Sequence, residues 1–284
     1  MRDRFLTGLI GYPIAHSAAP AMHEQAAAAL GVHCHYQLIE VKGAGRDDLR
    51  AMLEGVRLLG FAGVNVTFPY KEAVVDLLDE LAPDARAIGA VNTIVADGAR
   101  LIGHNTDATG FARAITPLLA SAPHGPIALI GAGGVGKAIG FALAGLGVAG
   151  IRIFDADAAK AAQLAGQLRD RHAIHATSVA IAVDGAAGLV NATPVGMLPS
   201  RDTPVPDALL HQAMWVADAV YTPLWTPLLT AAKARGASVL TGRDLAINAS
   251  ADAFKLFTGL TPPHAAMANA FDAVMAARYA PPVT

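Results

Sequence analysis

The apolar run Ile127-Ala128-Leu129-Ile130 leads straight into Gly131-Ala132-Gly133-Gly134-Val135-Gly136 and then into a long apolar stretch. A strand, a glycine-rich turn and a helix in that order commit the surrounding chain to a parallel α/β sheet, since the helix must return the chain before the next strand can pair. Gly131 permits the tight turn, Gly133 lets backbone approach a pyrophosphate, and Gly136 allows close helix packing, with the helix N-terminus favouring the phosphate charge. A lone G-x-G-x-x-G is weak evidence. It gains force here because the next strand, Ile151 to Phe154, ends at Asp155, about 20 residues beyond the glycines. A carboxylate there accepts hydrogen bonds from both ribose hydroxyls of NAD and repels a 2′-phosphate. The following Ala156-Asp157-Ala158-Ala159 offers no arginine, and Lys160 is the only nearby cation. NAD is expected ahead of NADP, with NADP possible. The competing role for Asp155 is a helix N-cap.

Strands and helices alternate from the N-terminus. Strands are expected over Phe5 to Ile10, His35 to Val41 and Gly63 to Thr67, and helices over Pro20 to Leu30, Asp47 to Leu59 and Pro69 to Leu78. This alternation implies parallel pairing. Val91 to Ala96 and Leu101 to Asn105 flank Asp97-Gly98, a hairpin signal. A second α/β unit begins after the loose stretch Ser121 to Pro126 and runs through Leu240. With 284 residues and 54% apolar side chains the chain is long enough for two domains. The formal charge of −2 gives no basic excess for a phosphate backbone or an anionic membrane. The single cysteine, Cys34, cannot form an internal disulfide, the N-terminal apolar stretch is too short for a signal segment, and no window approaches the ~18 apolar residues of a spanning helix. A soluble, cytoplasmic protein with no nucleic-acid or membrane partner is expected.

Ahead of the glycine turn lies a concentration of polar chemistry. Asn65, Thr67 and Lys71, within Asn65-Val66-Thr67-Phe68-Pro69-Tyr70-Lys71, are followed by Asn92-Thr93 and Asn105-Thr106-Asp107. Asn65 and Thr67, two apart on a strand, leave the same face, and Pro69 is expected to open a helix whose first turn carries Lys71. Amides and hydroxyls converging on a Lys/Asp pair suit a small polyhydroxylated molecule, because each hydroxyl needs a donor and an acceptor. The pair could then move a proton.

These residues resemble the shikimate/quinate dehydrogenases over nearly the whole chain, from Gly11-Tyr12-Pro13-Ile14-Ala15-His16-Ser17 to Gly242 and the helix after it. The shared motifs include Asn65-x-Thr67-x-Pro69-Tyr70-Lys71, Ala90-Val91-Asn92-Thr93, Gly103-His104-Asn105-Thr106-Asp107, the Gly131 loop, Asn191-Ala192-Thr193-Pro194-x-Gly196-Met197 and Asp218-x-x-Tyr221-x-Pro223-x-x-Thr226. The resemblance implies two α/β domains: a substrate-binding domain over 1–107 plus 243–284, and a Rossmann-type NAD-binding domain over 108–242, with the active site in the cleft between them. It makes Lys71 and Asp107 the catalytic pair. It gives Asn65, Thr67 and Asn92 the ring hydroxyls, Ser17 the carboxylate, and Tyr221 a place over the substrate. On the cofactor side it implies the backbone from Ala132 to Gly136, with Asp155, Thr193, Val220 and Gly242. NADP-preferring members carry Asn-Arg-Thr where this chain has Asp155-Ala156-Asp157, so the resemblance is to the NAD-preferring branch.

Two departures bear on the substrate. The family pattern His-Ser-x-Ser-Pro has a second hydroxyl where this chain has Ala19, and a substrate-reaching glutamine is replaced by Ala249. Each lost hydrogen bond to a charged group could weaken binding by roughly 1.5–3 kcal/mol, so a substrate with an altered substituent is expected. Asn248, beside Ala249, points about 100° away on a helix. His33-Cys34-His35 alternates faces on a strand and has no second ligand pair, so no metal is expected. His16 and His104 adjoin the matched motifs and are expected to have structural roles first. The alternative from another class is a weakly catalytic dinucleotide-binding sensor; a methylene-tetrahydrofolate dehydrogenase is a poorer fit because it has no use for the hydroxyl-binding set. The sequence is compatible with a monomer or a homodimer.

Overall fold

The computed structural model describes residues 3–279. The chain divides into two compact units, one running to Thr106 and resuming at Ile247, the other spanning Asp107–Ala246.

The first unit is built on β1 (Arg4–Gly11), α1 (Ala19–Ala29), β2 (His33–Glu40), α2 (Arg46–Leu58), β3 (Gly63–Val66), β4 (Glu80–Leu81), α3 (Pro83–Ile88), β5 (Thr93–Asp97) and β6 (Arg100–His104). Its sheet has the order β2-β1-β3-β5-β6-β4. Pairing is parallel from β2 to β3, and the hairpin β5–β6 is inserted antiparallel to β3. In α2, Leu49, Leu53 and Val56 are buried at helical spacing and join Ile10, Val64, Val66 and Ile94 on one face of the sheet. The hairpin turn lies one residue later than Asp97-Gly98: Asp97 pairs with Arg100, so Gly98-Ala99 is the loop, with Gly98 at φ +62.

The helix expected over Pro69 to Leu78 is not formed; only the short 3₁₀ turn Val75–Leu77 appears there. The Lys71 carbonyl accepts from the Val91 amide at 2.8 Å, while the Val75 amide turns to Glu72. Tyr70 and Val74 are buried in the core. Tertiary pairing thus overrides the start signal of Pro69, and Lys71 sits in an irregular turn tied to the segment that carries Asn92.

The second unit comprises α4 (Thr106–Leu119), β7 (Ile127–Ile130), α5 (Gly134–Gly145), β8 (Ile151–Phe154), α6 (Ala158–Gln167), β9 (Ala173–His175), α7 (Val179–Val183), β10 (Gly188–Asn191), β11 (Trp215–Asp218), α8 (Pro227–Ala234) and β12 (Ser238–Leu240). All pairings are parallel in the order β12-β11-β10-β7-β8-β9. Every residue of β7, β10 and β11 is buried. Ile127 and Leu129 face one core with α5 and α6, and Ala128 and Ile130 face the other with α7 and α8. This is a doubly wound sheet, covered on both sides. The chain closes with α9 (Arg243–Thr258) and α10 (His264–Tyr279). Among the described residues no helix is long and apolar enough to cross a membrane.

His23 on α1 is fully buried against Tyr36, Phe254 and Phe257, and neither ring nitrogen has a hydrogen-bond partner. Burial pushes its pKa from 6.5 down to about 3. The fold therefore holds the neutral ring. As pH falls from 6.5 toward 3, the unfolded chain takes up a proton that the native state refuses, and stability is lost over that window, on the order of 4–5 kcal/mol in full. His23→Leu is expected to stabilise the protein by about 1–3 kcal/mol at neutral pH by removing unpaired polar atoms and to lower the pH of acid unfolding. Urea titrations of both proteins at neutral and acid pH check both effects.

Candidate active site

In the first unit a chain of polar side chains crosses the sheet. Tyr36 on β2 donates its hydroxyl to Asn65 Oδ1 at 2.8 Å, and Asn65 Nδ2 donates to Thr93 Oγ1 at 2.9 Å and to the Asn92 carbonyl at 3.1 Å. Asn92 Oδ1 accepts from the Thr93 hydroxyl at 3.1 Å and from the Thr106 amide at 2.7 Å, and its Nδ2 donates to Thr106 Oγ1 at 3.0 Å. Asn92, Thr93, Asn105 and Thr106 are all buried. Beside this frame the Lys71 carbonyl is tied to the Val91 amide, and Thr106, the residue before Asp107, is held by Asn92. Asp107 itself is 8% exposed. Both N–H groups of Asn65 are spent within the frame, leaving one acceptor position on Oδ1 for a ligand. Thr67 follows β3 directly, its amide bonded to the Ile10 carbonyl at 2.9 Å. Its methyl lies where a Cβ on Gly11 would fall, so β1 must end in glycine for Thr67 to reach this place.

Ser17 lies in a loop anchored by a residue that the sequence reading passed over. Glu40, at the end of β2, accepts from the amides of Ile14 at 2.6 Å and Ala15 at 2.7 Å. The Arg278 guanidinium donates to the His16 carbonyl. Ser17 Oγ accepts from the Ala19 amide at 3.2 Å, which leaves its own O–H to donate outward. The Ala19 methyl packs against the cluster of Leu9, Ile14 and Tyr36, Ala249 is buried, and Asn248 Oδ1 meets His264 Nε2 at 3.2 Å. Burial pushes the His104 ring below its usual pKa, partly offset by Asp84 and Glu80, while its carbonyl accepts from the Asn92 amide. Among the described residues no three His, Cys, Asp or Glu side chains gather as metal ligands.

In the second unit, the loops after β7, β8, β10, β11 and β12 carry the remaining candidates at the carboxyl ends of parallel strands, where doubly wound sheets bind ligands. Gly131 has φ +105, and a Cβ there would press on Ala192 and Thr193; a Cβ on Gly136 would run into the Gly131 carbonyl. Those two glycines are required by the protein's own packing. Gly133 differs, with φ −75 and nothing within 4 Å of its Cβ position. Open space at the N-terminus of the twelve-residue α5, with Gly134 and Val135 following, is a cradle that a side chain would fill and a pyrophosphate fits. Gly133→Ala should therefore leave Tm within a degree or two but weaken dinucleotide binding about tenfold or more, whereas Gly136→Ala should lower Tm. Calorimetry and binding titrations on the two variants separate these outcomes.

Asp155 spans the same turn. Its Oδ2 accepts from the Ala132 amide at 2.6 Å and its Oδ1 from the Asp157 amide at 2.8 Å. The N-cap of α6 is Asp157, bonded to the Ala159 amide, so Asp155 is not the cap. Two of its roughly four acceptor positions remain for a ligand. Lys160 is exposed on α6. Thr193 bonds Asn191 Oδ1 through both its amide and its hydroxyl. Val220 is buried, Tyr221 half-buried, and a Cβ on Gly242 would meet the Ala219 and Val220 carbonyls at 2.7 Å. Behind these loops lies Asp218, which the sequence reading quoted in a motif without giving it a role. The signal for it is the same as for Asp155, an acidic residue closing an apolar strand.

A doubly wound Rossmann-type unit joined to a second α/β unit defines the class as a two-unit nucleotide-binding α/β protein. The profile of the shikimate dehydrogenase substrate binding domain matches residues 9–94. A shikimate dehydrogenase (NADP(+)) of Streptomyces avermitilis is 42% identical over 270 residues, covering 92% of this chain and 92% of the relative. A quinate/shikimate dehydrogenase (NAD(+)) of Corynebacterium efficiens is 42% identical, covering 92% of this chain and 95% of the relative. The chain belongs to the shikimate/quinate dehydrogenase family. Among solved structures, quinate dehydrogenase from Corynebacterium glutamicum in complex with NAD matches with a TM-score of 0.87 and 38% identity, covering 96% of this chain and 100% of that one.

Proposed function

We propose that this protein is an NAD(P)-dependent dehydrogenase, favouring NAD, that oxidises a secondary hydroxyl of shikimate, quinate or a close cyclic hydroxy acid. The observation that carries this reading is the Asn65–Thr93–Asn92–Thr106 frame, buried except for Asn65, beside which lie the backbone of Lys71, paired with the Val91 amide, and Thr106, the residue before Asp107. Lys71, as the neutral amine, accepts the hydroxyl proton during oxidation and, as the ammonium, returns it during reduction, and Asp107 orients the Lys71 side chain and the reacting hydroxyl. Asn65, through its remaining acceptor, Thr67 and Asn92 hold ring hydroxyls; Ser17 donates to the carboxylate; Tyr221 contacts the substrate. When bound, the nicotinamide supplies the hydride acceptor. The Gly131–Gly136 turn receives its pyrophosphate and Asp155 the adenosine ribose, supported by the open cradle at Gly133. Thr193, Val220 and Gly242 face the same ligand, with Lys160 at its outer edge. The substrate-binding part is the first unit and the cofactor-binding part the second. Ala19 favours a substrate making fewer hydrogen bonds at its carboxylate than shikimate does, and Ala249 one whose ring carries an altered substituent. Initial rates with NAD and NADP across shikimate, quinate and related hydroxy acids test the reading. Faster turnover with NAD, and a ring-altered acid preferred over shikimate, is expected; equal or better turnover with NADP would remove the NAD preference.

A further inference from the structure

Asp218 closes β11, is 3% exposed, and lies outside every role assigned above. Its Oδ1 accepts from Asn191 Nδ2 and from the Val220 amide, each at 2.9 Å, and its Oδ2 accepts from the Thr226 hydroxyl at 2.7 Å. Each partner belongs to a different loop or helix end. Asn191 closes β10, and its Oδ1 holds Thr193 by amide and hydroxyl while its Nδ2 also reaches the Val195 carbonyl. Val220 is the residue against whose carbonyl Gly242 is packed. Thr226 is the N-cap of α8, accepting from the Leu229 amide. The Thr193 side chain in turn lies against the space beside Gly131. One buried carboxylate therefore joins the loops after β10 and β11 and the start of α8, and through them touches the glycine turn after β7 and Gly242 after β12.

We propose that Asp218 is a positioning residue for the nicotinamide cofactor, clamping the Thr193 and Val220 loops in the register that binds it. This rests on the cofactor reading above. Asp218 touches neither substrate nor cofactor; it acts through Asn191, Val220 and Thr226. All three partners donate to it, so the clamp is built for a carboxylate, and a protonated Asp218 would keep its contact with Thr226 only by turning that hydroxyl from donor to acceptor. Burial pushes its pKa up to about 7, against the three donors that hold it down. The groups facing it from β10, from the loop after β11 and from α8 are Asn191, the Val220 amide and Thr226, none of them titratable, and among the described residues burial and these three donors set its pKa. The clamp consequently loosens as pH falls through neutrality.

Two readouts test this on the full-length protein. The first is NAD affinity by titration calorimetry between about pH 5.5 and 8.5. The second, independent of any ligand, is the emission of Trp225, 54% exposed in the loop between Tyr221 and Thr226, isolated by subtracting the Trp225→Phe protein. In the wild type both should titrate near neutrality, with Kd for NAD rising by up to about tenfold per pH unit on the acid side. Asp218→Asn should flatten both and weaken NAD binding about tenfold at alkaline pH, since two charge-assisted contacts become neutral and the Thr226 hydroxyl must turn from donor to acceptor. Thr226→Val, which removes a single donor, should move the inflection upward and carries the test if Asp218→Asn fails to fold. Persistence of both titrations in Asp218→Asn, an unmoved inflection in Thr226→Val, or flat wild-type profiles with NAD bound would overturn the proposal while leaving the cofactor reading intact. A Trp225 titration abolished by Asp218→Asn in a protein that binds no NAD would uphold the clamp and remove the cofactor reading.

Discussion

Replacing Lys71 with alanine should lower kcat by about 10³-fold, inside the 10²–10⁴-fold range of general acid–base catalysis, while KM changes only a few-fold. The expectation follows from where the residue is held. Its carbonyl is paired with the Val91 amide, an anchor that a side-chain truncation leaves in place, so the loss should be chemical and not a collapse of the turn. Removing a proton acceptor costs the transition state, where the hydroxyl proton is in flight, far more than the bound ground state. A comparable loss appearing mainly in KM would make Lys71 a binding residue. Calorimetry on the variant checks that the fold survives.

The second large effect concerns the dinucleotide. Asp155→Asn combined with Ala156→Arg should reverse coenzyme preference, changing the ratio of kcat/KM for NAD over NADP by about 10²–10⁴-fold. Two changes of roughly 1.5–3 kcal/mol each contribute: loss of a charge-assisted acceptor for the ribose hydroxyls, and gain of a guanidinium for the 2′-phosphate. Asp155 also ties Ala132 to Asp157 across the glycine turn. An asparagine can keep one of those contacts through its oxygen but not both, so binding of either dinucleotide should weaken somewhat. The reversal shows in the ratio, measured by steady-state kinetics on the same substrate.

The second unit was legible because its signals are local. Gly131 to Gly136, Ile151 to Phe154 and Asp155 are contiguous patterns whose meaning does not depend on distant residues, and β7, α5 and β8 form where the sequence places them. The first unit reads less completely, for tertiary reasons. Pro69 signals a helix, yet the Lys71 carbonyl is claimed by Val91, twenty residues on, and no local pattern announces that claim. The two-residue β4 has too little sequence to carry a period. Glu40 and Asp218 work through backbone amides and buried partners brought from other elements, and such roles emerge only when strand ends come together. Asn65 is legible from its strand spacing to Thr67 and Asn92 from the family motif; their engagement with Tyr36, Thr93 and Thr106 is beyond reach of spacing or motif.

The most direct measurement is whether deuterium placed on the secondary carbinol carbons of shikimate or quinate appears in reduced NAD after incubation with the purified protein. Deuterium should transfer to the nicotinamide, and about 10³-fold more slowly in Lys71→Ala. Tight NAD binding with no deuterium transferred from any cyclic hydroxy acid would contradict this mechanism.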